Sequence, residues 1–269
     1  MKLIAVDLDG TLLGGTSGRY GLLPAGVEAL RRAAGQGKTI AVATGRELPF
    51  ILGLLEREGI VPEREGWPQL IISEERFIHR LNGQGEYAPE AEWNEAIERA
   101  EREHFGAVIA GVAALLEGEL ASVDAASRRC ESGKEEARGF VEVLFTHADA
   151  ARAGEAVIAD WLAQSGLPYS AVRNVAGVAI RRLGAGKGPV LARACELLRI
   201  APEQALAIGD SCNDLSMLDG GHGFAAAAPG NAEEEVKARL RASRGYIAAG
   251  NCGNGVAEAV YAMLPELRE

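Results

Sequence analysis

Cysteine is scarce in this chain and scattered. Its four copies, at Cys130, Cys195, Cys212 and Cys252, form no Cys-x-x-Cys pair and no dense framework. That excludes a zinc knuckle or a disulfide scaffold and points to a reducing cytoplasm. Long apolar runs are missing too. Leu3-Ile4-Ala5-Val6 stops at Asp7, too short for a signal-peptide core. The longest weakly polar stretch, residues 107–116, is about half of what crosses a bilayer, so no membrane partner is expected. Basic residues are in deficit, with 28 Lys+Arg against 38 Asp+Glu and a formal net charge of −10. A nonspecific nucleic-acid binder would need the opposite surplus to neutralise phosphates. Repeats and low-complexity tracts are absent.

What is present is an ordinary globular composition. With 269 residues, 48% of them apolar, the chain can bury one large core or two moderate ones. The apolar run at residues 3–6 reads as a strand buried on both faces. Pro24 then opens a helix with Val27, Leu30 and Ala33 on one stripe, closed by Gly35 and Gly37. A second buried strand at residues 39–43, a helix over 47–58 and a third strand at 70–72 complete a βαβαβ unit, which implies a parallel sheet.

From about residue 78 the character changes. Helical patterns over 90–103 and 150–164 flank residues 140–145, which alternate as a half-exposed strand does. Two further strands are expected at 169–172 and 178–180, and a mobile loop or irregular helix over the charged, small-residue-rich 124–139. After Gly186 the βα rhythm resumes: a helix at 189–198, a strand at 205–208, a short helix from Asp214 and a strand near Phe224. A helix with Asn231 as its N-cap follows, then a strand at 246–248 and a helix at 256–264. The fold class is therefore α/β: a Rossmann-like parallel-sheet core, residues 1–77 and 183–269, interrupted by an α+β insert at 78–182 packed over its end.

Four short signatures lie in one order: Asp7-Leu8-Asp9-Gly10-Thr11, Thr44-Gly45-Arg46, Lys187-Gly188 and Gly209-Asp210-Ser211-Cys212-Asn213-Asp214. Those that follow apolar runs fall at the carboxyl ends of parallel strands, where open α/β sheets bind ligands. A carboxylate is ionised near neutral pH, so Asp7 can attack phosphorus without a base and form an aspartyl-phosphate. Asp9 can protonate the leaving alcohol and later take a proton from water. Gly10 allows the tight turn, and Thr11 can hydrogen-bond across it. Magnesium suits the hard oxygens of Asp7 and Asp210, with Asp214 as an outer ligand or water-orienting group. Thr44 and the Gly45 N–H can bind phosphate oxygens, and Lys187 supplies a compensating charge. The partner implied is a small phosphorylated metabolite.

This set resembles the haloacid dehalogenase superfamily, in its Cof-like, sucrose-phosphatase-like sugar-phosphatase branch with a C2-type cap, over nearly the whole chain. Phe224, Gly230-Asn231-Ala232 and Gly255-Val256-Ala257 match that branch's later pattern. The resemblance implies a phosphoric monoester hydrolase with Asp7 as nucleophile and metal ligand. Asp9 would be the acid-base residue and a metal ligand through its backbone carbonyl, with Asp210 also on the metal. Leu8, Thr44, Gly45, Lys187 and Asn213 would hold the phosphoryl group, and the insert would serve as the cap. Two departures stand out. Relatives commonly carry an Asn-Gly-Ala type turn where this chain has Ser73-Glu74-Glu75-Arg76, and Cys212 replaces a small residue, which makes oxidation sensitivity an issue if the thiol is exposed.

Rival readings are a phosphomutase of the same fold and a catalytically degenerate binding module; the intact Asp7, Asp9, Asp210 and Lys187 argue against the latter. In the insert Arg128, Arg129, Arg173, His104 and His147 are candidate contacts to a sugar or carboxylate, each more readily a solvated side chain. Arg46 reads as structural, His222 as a loop residue, and Trp93 and Trp161 as core.

Overall fold

A computed structural model describes residues 1–16, 19–130 and 140–268. Fourteen strands occur among the described residues, and two compact units divide the chain: Met1–Ala91 with Lys187–Glu269, and Glu92–Gly186.

In the first unit, β1 (Leu3–Val6) has no exposed residue, as its uninterrupted apolar sequence requires. A hairpin follows, β2 (Leu13–Thr16) antiparallel to β3 (Arg19–Leu22), with Leu13 opposite Leu22. Helix α1 (Pro24–Gly35) starts on Pro24 and is followed by Gly37, whose φ of 76° lies in the left-handed region that ends helices. Then come β4 (Thr39–Ala43), α2 (Leu48–Arg57), a helical turn α3 (Pro62–Glu65) and β5 (Leu70–Ser73). Strands β6 (Phe77–Leu81) and β7 (Tyr87–Pro89) run antiparallel on the outer edge of the same sheet.

The second unit opens with α4 (Ala91–Glu117) and the short α5 (Glu119–Val123). Strands β8 (Arg128–Arg129) and β9 (Phe140–Leu144), helix α6 (Ala148–Ser165), and strands β10 (Tyr169–Asn174) and β11 (Gly177–Arg182) complete it. Its sheet is antiparallel in the order β10-β11-β9-β8. Val141, Val143, Val178 and Ile180 pack with Phe105, Val108, Val112, Ile158 and Leu162 from the helices in a core of its own.

Back in the first unit, α7 (Lys187–Leu198) leads to β12 (Ala205–Ile208), the short helix α8 (Leu215–Leu218) and β13 (Ala225–Ala228). Helix α9 (Glu234–Ser243), β14 (Tyr246–Ile247) and α10 (Cys252–Met263) follow. The sheet order is β14-β13-β12-β1-β4-β5-β6-β7. The chain winds outward from β1 through β4 and β5, then returns to β12 on the other side. The β1/β12 boundary is therefore a topological switch point, the place where open α/β sheets hold ligands.

The structure corrects several expectations. The units join at 91/92 and 186/187, because β6 and β7 extend the core sheet instead of starting the insert. Helix α4 runs to Glu117, well past residue 103, because Ile97, Glu101, Phe105, Val108, Val112 and Leu115 continue one buried stripe at three- and four-residue steps. Of the loop expected at 124–139, residues 131–139 lie outside the described residues. The preceding part is a turn, in which Asp124 accepts from the Ala126 N–H (3.0 Å), followed by the edge strand β8. Asn231 does not cap the helix that follows it: α9 begins at Glu234, with Glu233 in the N-cap position.

Candidate active site

The strand pairing assembles the site. Val6 lies opposite Val42 on one side and Ile208 on the other, so Asp7, Thr44 and Asp210 all leave the sheet at the same edge. Lys187, the first residue of α7, delivers its ammonium to this edge and is buried. Its Nζ stands 2.6 Å from Asp7 Oδ1 and 2.5 Å from Asp214 Oδ1. Asp214 is fully buried, and its second oxygen accepts from the backbone N–H groups of Asp210 (2.9 Å) and Ser211 (3.0 Å). It thus ties the 209–214 loop to the lysine. The Thr11 N–H closes its own turn onto the Leu8 carbonyl at 3.2 Å, and its hydroxyl reaches across to donate to Asp210 Oδ1 at 2.7 Å. Gly10, with φ at 80°, permits this approach: a Cβ there would sit 2.3 Å from Asp210 Oδ2.

Ligand oxygens of Asp7, Asp210 and Asp214 lie within 4.8 Å of one another. Three carboxylates face one ammonium, and the imbalance shows in their protonation. Burial pushes the Asp7 carboxyl far above the ordinary range; Lys187 pulls against it, while Asp214 and Asp210 push the same way. Burial and the Asp214 charge raise Asp210 to about 6, against the Thr11 hydrogen bond and Lys187. For Lys187, burial lowers the value, but Asp214 and Asp7 outweigh it and hold the group above the usual lysine range. A set of hard carboxylate oxygens with surplus negative charge suits a divalent cation such as magnesium. Asp7 and Asp210 fit that role best, because both oxygens of Asp214 are already engaged.

Asp9 faces a different environment. Its two oxygens are gripped by the Arg46 guanidinium, Nε to Oδ2 at 2.8 Å and Nη2 to Oδ1 at 2.9 Å. Tyr20, at the hairpin, donates to Oδ1 at 3.4 Å, and Arg46 stacks on Phe50 at 4.7 Å from the ring centroid. Asp9 and Arg46 are both accessible, with about a third to a half of each side chain exposed (37% and 48%). From sequence Arg46 reads as structural. Its bidentate grip on Asp9 places it in the site.

Thr44 is buried, and its Oγ1 accepts from the Arg46 N–H at 3.2 Å, shaping the turn that carries Gly45. Asn213 donates from Nδ2 to Glu75 Oε1 at 2.8 Å and accepts a short hydrogen bond from the Ser211 hydroxyl. Glu75 had been noted only as a departure in a turn. Asn231 was missed in kind: it donates to the Gly10 carbonyl at 2.8 Å and accepts from the Cys252 N–H at 2.6 Å, bracing the Asp9-Gly10 turn against α10. The Cys212 thiol is buried, its Sγ 2.8 Å from Glu235 Oε2 and 3.2 Å from Glu233 Oε2, so the exposure that oxidation requires is not met.

In the second unit two of the candidate contacts, His147 and Arg173, have local duties. His147 caps α6, with Nδ1 accepting from the Ala150 N–H. Arg173 is buried with its guanidinium 3.7 Å from Glu155. Trp161 packs against the apolar core of the unit.

A family model for haloacid dehalogenase-like hydrolases matches residues 1–221, and the chain belongs to that family. It is 25% identical to the phosphoglycolate phosphatase of Methanoculleus marisnigri over 99% of this chain and 98% of that protein. The phosphoglycolate phosphatase of Methanococcoides burtonii is 32% identical over 100 residues, which span 37% of this chain and 41% of that one. Among solved structures, the sucrose-phosphatase of Synechocystis sp. PCC6803, in complex with sucrose and phosphate, superposes with a TM-score of 0.70 at 17% identity, covering 99% and 97% of the two chains. A haloacid dehalogenase-like hydrolase of B. subtilis gives 0.63 at 21% identity, covering 98% and 100%. These structural likenesses establish the shared fold. Among the described residues no helix is long and apolar enough to cross a membrane.

Proposed function

We propose that the chain is a magnesium-dependent phosphomonoesterase acting on a small phosphorylated metabolite, a sugar phosphate or phosphorylated sugar derivative, through an aspartyl-phosphate. The observation that carries this reading is the pairing of environments at one turn: buried Asp7 among Asp210, Asp214 and Lys187, and accessible Asp9 two residues on. The names of the relatives support a small phosphate ester, and the phosphoglycolate phosphatases add phosphorylated hydroxy acids to the candidates. Four cysteines scattered along the sequence, with no Cys-x-x-Cys pair, fit a reducing cytoplasm.

Asp7 attacks phosphorus as the ester P–O bond breaks, and Asp9, released from Arg46 and protonated from solvent before this step, gives that proton to the departing oxygen. In the second half Asp9 takes a proton from the water that attacks the phosphoryl-aspartate, releasing inorganic phosphate and regenerating Asp7. Leu8 through its backbone, Thr44, Gly45 and Asn213 hold the phosphoryl oxygens, with Lys187 fixing Asp7. Magnesium held by Asp7, Asp210 and the backbone carbonyl of Asp9, with Asp214 behind them, would neutralise charge as the phosphate approaches.

Hydrolysis of p-nitrophenyl phosphate with magnesium, lost in Asp7→Ala and on chelation, tests the reading. Wild type and Asp7→Ala equally inert across a broad panel of phosphate esters would favour the binding module. Return of the phosphoryl group to substrate in the presence of a sugar bisphosphate would indicate a mutase.

A further inference from the structure

After β5 the chain passes through Glu74 and Glu75 with φ of 52° and 58°, a left-handed pair that side chains occupy only where surrounding contacts hold them. Here the holding contacts are to the phosphate-site turn. The Glu75 N–H donates to the Thr44 carbonyl and the Glu74 N–H to the Arg46 carbonyl, each at 3.0 Å. Arg76, buried beside them, pairs with Glu74 at 2.9 Å. Clamped in this way, Glu75 is itself buried and sends its carboxylate over Gly45, where a Cβ would lie 3.2 Å from Oε1.

From there it reaches Asn213. Strands β5 and β12 are three places apart in the sheet, about 14 Å at ordinary strand spacing. The Glu75–Asn213 hydrogen bond therefore closes a span across the ends of β4 and β1. An asparagine amide has two N–H donors and one carbonyl. Here one N–H goes to Glu75 and the carbonyl takes the Ser211 hydroxyl, which fixes the amide plane and the direction of the second N–H.

We propose that Glu75 is a positioning residue for phosphate: it locks the Asn213 amide and couples the Thr44–Arg46 turn to the 209–214 loop. This rests on the phosphatase reading of the site. The Glu75 Oε1 is spent on the Asn213 N–H, so Glu75 acts on phosphate through Asn213 rather than by touching it.

Calorimetric binding of inorganic phosphate in the presence of magnesium provides the test, since it needs no turnover. Glu75→Ala raises the phosphate Kd about tenfold, the effect of losing one hydrogen bond to a charged group. Glu75→Asp, one methylene too short, does the same, whereas Glu75→Gln, whose amide oxygen still accepts, stays within about threefold of wild type. In an Asn213→Ala background Glu75→Ala adds no further loss. Unchanged Kd in both Glu75→Ala and Glu75→Asp overturns the proposal, as does a loss equally large without Asn213, or a wild type that binds no phosphate. Should Glu75→Ala fail to fold, the Asp and Gln variants carry the comparison. A wild type that binds phosphate through Glu75 yet hydrolyses no ester would defeat the phosphatase reading alone.

Discussion

Asp7 and Asp9 are the same residue type two positions apart, yet they sit in opposite surroundings. Asp7 is buried against Lys187 with two further carboxylates nearby, while Asp9 is accessible and held by an arginine and a tyrosine. The difference follows from strand geometry: Asp7 is the first residue beyond β1, between its two parallel neighbours, and Asp9 already lies in the turn. Environment, not residue type, divides labour between paired carboxylates. The inner one gains a fixed geometry and an unfavourable charge balance. The outer one stays accessible.

The largest expected contrast is between the two aspartates. Asp7→Asn lowers kcat by roughly ten-thousand-fold or more for every ester, because the nucleophile is gone. Asp9→Asn slows alkyl phosphates about a hundredfold or more but spares p-nitrophenyl phosphate by comparison, since nitrophenolate leaves without a proton. Equal losses on both substrates would erase the distinction.

Next is Lys187→Met, which strands the buried Asp7 and Asp214 without their cation. It should cost about 3–5 kcal/mol, read as a fall in denaturation midpoint, and magnesium should recover part of it.

The third test is pH. Folding raises Asp210 to about 6 and Asp7 above the ordinary carboxylate range, so the folded state resists their ionisation. In metal-free protein their contribution is fully present below the unfolded carboxylate value near 4. It is lost as pH climbs through about 6, with Asp7 extending the loss upward. Magnesium needs the ionised forms, so it should raise Tm more at pH 8 than at pH 5; equal increments would contradict the assignment.

The smallest effect is Arg46→Ala. The pair is half exposed, so stability should change by less than about 1 kcal/mol, while the kcat/KM of alkyl phosphates shifts because Asp9 loses its orientation. A large fall in Tm with unchanged kinetics would return Arg46 to a structural role.

The core was readable because its signals are local. Residues 3–6, 40–43 and 205–208 are continuous apolar runs, and the acidic motifs follow two of them directly. The insert was less readable: Gly106 and Gly111 depress helix propensity in the second half of α4, and only the buried stripe, a tertiary fact, carries the helix through. Asn231 shows the limit most plainly. Its identity suits a helix cap, but it is used 221 residues away on Gly10, a distance no local pattern encodes. Glu75 was visible as an odd residue in a turn, while its reach to Asn213 depends on the order of strands in the sheet.

The brace from Asn231 to Gly10 and Cys252 also bears on synthesis. Because translation proceeds from the amino end and domains fold as their parts emerge, the Asp9-Gly10 turn is made more than two hundred residues before its support. A ribosome-bound chain that has exposed both acidic motifs but not yet residue 231 would lack the donor that holds the Gly10 carbonyl, and one not yet at residue 252 would lack the N–H that anchors Asn231 in turn.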